Sequence, residues 1–355
     1  MAITINQKVL QKLRDGGFIP AHPLVLNKDL TINEASQRRL TRYYISCGVD
    51  GLAIGVHTTQ FEIRDSKHNY YKKILEITSD EICRMNSDSS LIKVAGICGP
   101  TNQAIKEAEI ARETGYDLGL LSMGGLKNLS EKELIERTKA ISEIIPIFGF
   151  YLQPSVGGRI LTYRFWKEFC EIENVYAIKI APFNRYNTLE VVRAVCNSQR
   201  AAEIALYTGN DDNIINDLIT PYSIKVGNQY VEKRIVGGLL GHYAVFTKKS
   251  VEIFNGVKEG INSGNLDYES ILRTGTHITD MNSAFFDASN SFKGSISGIH
   301  EVLRRQGLMK DIWCLNPDEK LSDGQIGEID RVINQYDYLV DDEYVKEFLK
   351  KEHGL

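Results

Sequence analysis

Residues 175–183, Val175-Tyr176-Ala177-Ile178-Lys179-Ile180-Ala181-Pro182-Phe183, form an apolar run broken by a single charged side chain. Strands of a parallel sheet covered on both faces have this near-continuous apolar character, so the run predicts such a strand. A buried ammonium loses its hydration, so Lys179 is either ion-paired or kept for its amine. Desolvation also lowers a lysine's pKa, which makes the amine a nucleophile near neutral pH. On this strand alone, a Schiff-base lysine and a structural lysine paired with a carboxylate stand level.

Further short apolar strands lie on either side, at 17–24, 50–56, 91–97, 117–121, 144–151, 203–207 and 234–238, with helical patterns such as 32–46 and 101–114 between them. Strands alternating with helices at about 30-residue spacing indicate βαβ units and a parallel sheet. Eight strands favour a closed (β/α)8 TIM barrel over an open doubly wound sheet, so the expected fold class is α/β. Residues 220–233 carry Val226-Gly227-Asn228-Gln229, the pattern of a small inserted hairpin. After about residue 241 strand signals stop, and helical patterns occupy 243–261, 283–306, 322–336 and 343–351. The expected organisation is a barrel over 1–241 and a helical region over 242–355 packed on it.

The chain has 355 residues, and a barrel of this class uses about 250, leaving roughly 100 for the extension. A net charge of -4 gives no electrostatic case for nucleic acid or an anionic membrane. No apolar run reaches the roughly 20 residues that span a bilayer, and residues 1–8 lack the basic-then-apolar form of a signal peptide. The six cysteines are scattered without a C-x-x-C pair, which predicts free thiols, no zinc site and a cytoplasmic location.

In this fold, active sites lie at the C-terminal ends of the strands. The rim then carries His57-Thr58-Thr59-Gln60, Tyr151-Leu152-Gln153-Pro154, Lys179 and Thr208-Gly209-Asn210-Asp211. Tyr151 and Lys179 are separated by about one βα unit, which predicts adjacent strands at similar height. A tyrosine beside a lysine amine can relay protons as a carbinolamine forms and collapses. Hydroxyls and amides at Thr58-Thr59 could hold a carboxylate.

Over roughly 17–333 these segments together resemble the dihydrodipicolinate synthase / N-acetylneuraminate lyase family of pyruvate-dependent class I aldolases. The family's G-T-T-G-E loop is matched by His57-Thr58-Thr59-Gln60-Phe61, and its Y-N-x-P segment by Tyr151-Leu152-Gln153-Pro154. Its G-I-K strand is matched by Ala177-Ile178-Lys179, and its S-G-D-D turn by Thr208-Gly209-Asn210-Asp211. A helical extension in which Gly307-Leu308-Met309 follows Asn290-Ser291-Phe292-Lys293 is similar too. The resemblance implies that Lys179 forms an imine with pyruvate or a related 2-oxo acid, with no cofactor beyond that covalent bond. It implies that Tyr151 relays the proton, that Thr58 and Thr59 bind the carboxylate, that Gly209 is the substrate contact after strand seven, and that the chain forms a homo-oligomer, a tetramer or a dimer.

Three departures bear on the second substrate. The P-Y-Y sequence after the synthase's fourth strand is replaced by Ser122-Met123-Gly124-Gly125-Leu126, so the relay tyrosine that a neighbouring subunit supplies is absent. Val156 stands where the synthase has a carboxylate-gripping arginine; Arg159 is a substitute by position, or a solvated loop arginine. Gln60-Phe61 replace the Gly-Glu pair, and His57 stands where a small residue is usual, so His57 and Gln60 join the substrate-binding candidates. His242 and Tyr243 fit helix packing, Asp211 and Asp212 a helix N-cap, and Glu62 with Arg64 a surface or interface pair. The function expected is therefore a lysine-imine lyase, aldolase or dehydratase other than the lysine-pathway synthase. The alternatives are that synthase and a non-catalytic binding descendant.

Overall fold

A computed structural model describes residues 5–85, 90–352 and 354 of the chain; the first four residues of the 1–8 stretch lie outside it. Along the chain run α1 (Gln7–Asp15), β1 (Phe18–Pro20), α2 (Glu34–Cys47), β2 (Gly51–Ile54), α3 (Tyr71–Met85), β3 (Ile92–Ile97), α4 (Thr101–Glu113), β4 (Leu118–Ser122), α5 (Glu131–Ser142), β5 (Ile147–Leu152), α6 (Tyr163–Cys170), β6 (Val175–Ala181), α7 (Arg185–Cys196), β7 (Ala205–Thr208) and α8 (Ile214–Ile219). Then come β8 (Tyr222–Val226), β9 (Gln229–Lys233), β10 (Ile235–Leu240), α9 (Thr247–Ser263), α10 (Tyr268–Phe285), α11 (Ser295–Arg305), α12 (Gln325–Gln335) and α13 (Asp342–Glu352). β1 to β7 and β10 belong to one eight-stranded parallel sheet, and the fold class is the (β/α)8 barrel with additional C-terminal helices.

Contacts group the chain into two units, residues 5–17 with Ile92–Leu239, and Phe18–Leu91 with Leu240–Leu355. In the first, β3, β4, β5, β6, β7 and β10 pair in parallel in that order. Their residues are buried almost throughout, which is why they read as apolar runs rather than alternating ones. Helix starts are set locally: Ser130 and Glu133 form a capping box on α5, and Thr162 and Asn184 cap α6 and α7. Helix α1 lies ahead of the first strand that the sequence predicts. It is fixed from within the sheet by Tyr207, whose hydroxyl donates to the Leu13 carbonyl and accepts from the Gly17 amide, both at 2.9 Å. The hairpin lies where the sequence suggests, with β8 and β9 antiparallel and Val226 opposite Gln229 across a Gly227-Asn228 turn. Gly227 sits at φ +59, the conformation such two-residue turns demand.

In the second unit β1 continues beside β2 through an Ala21–Ala53 bridge, and the His22 amide donates to the Ala53 carbonyl at 2.8 Å. Helix α2 is capped by Asn33 and stopped by Gly48 in the left-handed conformation. The C-terminal region differs from the sequence expectation in two places. The periodicity predicts one helix over 283–306, yet α10 ends at Phe285 and α11 begins at Ser295, because Asp287, Ser291 and Phe292 take positive φ. Asp287 holds that break with its carboxylate, which accepts from the Gly294 amide (3.1 Å), Asn290 Nδ2 (2.7 Å) and Ser322 Oγ (2.5 Å). Most of α10 has no counterpart in the sequence reading, because Thr274, Gly275, Thr276, Thr279 and Asn282 dilute its helical propensity. No helix among the described residues is long and apolar enough to cross a membrane.

Candidate active site

Lys179 is the fifth of the seven residues of β6 and is 8% exposed. Cα partners across a parallel sheet share a face, so Phe150 on β5 and Tyr207 on β7, both paired with Lys179, point the same way as the lysine. Lys179 Nζ lies 4.4 Å from the centroid of the Phe150 ring. Burial pulls the amine down from the usual 10.5 to about 8, and the negative charge of Asp211 opposes that pull.

The turn after β7 is built against this lysine. The Gly209 amide donates to the Ile180 carbonyl at 2.7 Å. A Cβ at Gly209 would fall 2.5 Å from Lys179 Cε and 2.8 Å from the Ala181 Cβ, so only glycine lets the turn close over the lysine stem. Asn210 next to it is fully buried; its Oδ1 accepts from the Phe183 amide (3.0 Å) and its Nδ2 donates to Asp217 (2.9 Å). Asp217, 1% exposed, also accepts from Thr208 Oγ1 at 2.6 Å and pairs with Arg185. One buried carboxylate therefore ties the C-terminal ends of β6 and β7 together. The cap position of α8 is Asn213, so Asp211 and Asp212 are not its N-cap. Burial raises the Asp212 carboxyl, and the nearby Arg185 guanidinium opposes that rise.

Tyr151 and Lys179 are on adjacent strands, as expected, but the structure does not bring their reactive groups together. Tyr151 pairs with Ile180, one residue past the lysine, and so occupies the opposite face of the sheet. Its ring packs on Trp166 of α6 with centroids 5.2 Å apart. Its hydroxyl donates to the Leu161 carbonyl (3.4 Å) and accepts from the Leu161 amide (3.3 Å). Phe150 holds the place beside Nζ. Arg159 is half-buried, and its Nη1 donates to the carbonyls of Leu126 (2.9 Å) and Leu129 (2.8 Å), bracing the loop after β4.

The other candidates lie in the second unit. Thr58 Oγ1 donates to the Ala21 carbonyl and Thr59 Oγ1 to the His22 carbonyl, each at 2.7 Å. Thr59 Oγ1 also accepts from the Gly55 amide at 3.0 Å. Both hydroxyl protons are thus engaged with backbone, and the lone pairs of Thr58 are its remaining polar resource. Gln60 has φ +68; its Oε1 accepts from the Leu315 amide at 2.6 Å, while its buried Nε2 has no hydrogen-bond partner. His57 is half-buried beside the Phe61 ring, 5.9 Å between centroids. Arg64 donates to the Gly55 carbonyl (3.0 Å) and stacks on Tyr71 (4.6 Å), which ties it to the framework of its own loop. His242 bonds Asn282 at 2.7 Å, and Tyr243 stacks on Phe18 at 3.6 Å, both in packed interior. Among the described residues no group of three or more His, Cys, Asp or Glu side chains could hold a metal ion.

Known proteins match both this sequence and this fold. The dihydrodipicolinate synthetase family matches residues 15–335. A 4-hydroxy-tetrahydrodipicolinate synthase from Bifidobacterium longum is 25% identical over 200 residues, 55% of this chain and 60% of the relative's length, so the match spans less than two thirds of that relative. The N-acetylneuraminate lyase of Fusobacterium nucleatum complexed with pyruvate superposes with a TM-score of 0.69 at 19% identity, covering 93% of this chain and 99% of the lyase. A prophage protein of the dihydrodipicolinic acid synthase family from E. coli K12, in complex with pyruvate, gives 0.71 at 17% identity, with 90% and 98% covered. Dihydrodipicolinate synthase from Oceanobacillus iheyensis gives 0.71 at 15%, with 93% and 99% covered. At these identities the structural likeness is one of fold. The sequence match over residues 15–335 goes further: this chain belongs to the dihydrodipicolinate synthetase family.

Proposed function

We propose that the protein is a lyase or aldolase that holds pyruvate or a related 2-oxo acid as an imine on Lys179. The observation that carries this reading is a lone amine on a barrel strand, desolvated until its pKa falls to about 8. At pH 7.5 such an amine is unprotonated in about a quarter of molecules, against about one in a thousand for an ordinary lysine. The free amine adds to the 2-oxo carbon, the carbinolamine loses water, and the resulting imine draws electrons from the neighbouring C–C or C–H bond. No cofactor is needed beyond this covalent link.

Thr58 and Thr59 are assigned the carboxylate on motif order alone, with His57 and Gln60 as candidates for the second substrate. Two observations favour cleavage or dehydration of a sugar-acid-like substrate over dihydrodipicolinate synthesis. The segment Ser122–Leu126 has no tyrosine, and Arg159, the substitute by position for the synthase's arginine, is spent on the Leu126 and Leu129 carbonyls. The proposal includes a cytoplasmic homo-oligomer, in keeping with six cysteines that are all free thiols. It is tested by incubation with pyruvate and a panel of 2-oxo acids, borohydride reduction and peptide mass spectrometry. Absence of any adduct would leave a non-catalytic binding protein of this fold as the better account.

A further inference from the structure

We propose that Asp211, in the turn after β7, moves the proton at Lys179 Nζ, the work expected of a tyrosine. The proposal rests on the imine chemistry above and names the group that serves it. The strands on both sides of β6 put an aromatic residue level with Lys179, and neither offers the amine a proton carrier. Phe150 on β5 has no ionisable group. Tyr207 on β7 has its hydroxyl engaged both as donor to Leu13 and as acceptor from Gly17. Tyr151, the tyrosine of the Y-x-x-P segment, faces Trp166 with its hydroxyl on Leu161.

Asp211 stands in the turn that closes over the lysine stem. It follows Gly209, whose backbone closes over the Lys179 stem, and Asn210, whose side chain is locked between Phe183 and Asp217. It is the carboxylate whose charge acts on the Lys179 amine, while its neighbour Asp212 answers to Arg185 and Asp217. It is half-buried, open enough to exchange its proton with water.

The step balances without a co-reactant. Nζ forms a bond to the 2-oxo carbon as the C=O π electrons move to oxygen. The Asp211 carboxylate takes one proton from Nζ and returns it to the oxygen, giving the carbinolamine; a second proton, which Asp211 takes up from water, lets the hydroxyl leave as water as the protonated C=N bond forms. In the next step the same carboxylate accepts the C3 proton of the imine, giving the enamine.

Exchange of pyruvate methyl protons for deuterium, followed by NMR, reads this step without a second substrate. Asp211→Asn should slow exchange by about 100-fold or more, Asp211→Glu should keep part of it, and Tyr151→Phe should leave it within about threefold. A purely electrostatic role predicts the opposite sign for Asp211→Asn, since losing the negative charge leaves more of the amine unprotonated. If Asp211→Asn does not fold, formate added to Asp211→Ala should restore exchange. Wild-type exchange in Asp211→Asn, a loss in Tyr151→Phe as large as that in Asp211→Asn, or no rescue by formate would overturn the assignment. A wild-type protein that gives no borohydride-trapped adduct would instead overturn the imine reading itself.

Discussion

Replacing Lys179 with methionine should abolish imine formation and yet stabilise the folded protein at neutral pH. The lysine's pKa falls from 10.5 in an unfolded chain to about 8 in the fold because burial disfavours the ammonium. That difference corresponds to about 3 kcal/mol of native-state cost below pH 8. Between about pH 8 and 10.5 the unfolded chain binds more protons than the native one, so wild-type stability rises with pH across this window. Above it both states are neutral at this site and the cost vanishes. Methionine has a similar unbranched stem, so the packing on Gly209 and Phe150 is kept. The favourable charge of Asp211 is already contained in that pKa, so the expected gain at pH 7 is about 3 kcal/mol. Urea unfolding of both proteins at pH 7, 8, 9 and 10 measures this directly. The gap should favour Lys179→Met at pH 7 and close as the pH rises toward 10.5. A less stable Lys179→Met at pH 7, or a gap that does not change with pH, would refute the account of Lys179 as a desolvated amine.

Gly209→Ala should displace the lysine stem, lowering both stability by about 1–3 kcal/mol and the rate of adduct formation measured with borohydride. Arg159→Ala should cost about 1–3 kcal/mol by releasing the Leu126 and Leu129 carbonyls, seen as a lower urea midpoint, with the adduct on Lys179 retained. Burial lowers His22, His242 and His300 from 6.5 to about 4. The unfolded chain therefore binds more protons between those values, and stability falls as the pH drops through that window, by up to about 3 kcal/mol for each histidine. His300→Gln should flatten the pH 4–6.5 slope of the urea midpoint, and an unchanged slope would remove His300 from the account.

The sequence shows the barrel because its strands are buried on both faces and its turns carry the punctuation of βαβ units. The 175–183 run became β6 and the Gly227-Asn228 turn became the tip of a hairpin. What it hides depends on a single residue of register or on contacts distant in sequence. The spacing of about one βα unit places Tyr151 at the height of Lys179, but strand faces alternate residue by residue, so a one-residue offset gives the lysine's face to Phe150. The partners of Arg159 are carbonyls about 30 residues earlier in a loop without a regular pattern. Helix α1 owes its place to Tyr207, almost 200 residues away, and α10 forms despite a threonine-rich sequence because Ile278, Met281 and Phe285 are buried. Asp217 resembles an ordinary helix carboxylate until Thr208, Asn210 and Arg185 are seen to converge on it.

The central claim is that Lys179 carries the imine, and the most direct measurement is the position of the borohydride-fixed adduct after reaction with pyruvate at pH 7.5. The account predicts one carboxyethyl group per chain, on the peptide containing Lys179 and on no other lysine, and none in Lys179→Met. An adduct spread over surface lysines at equal yield in both proteins would contradict it.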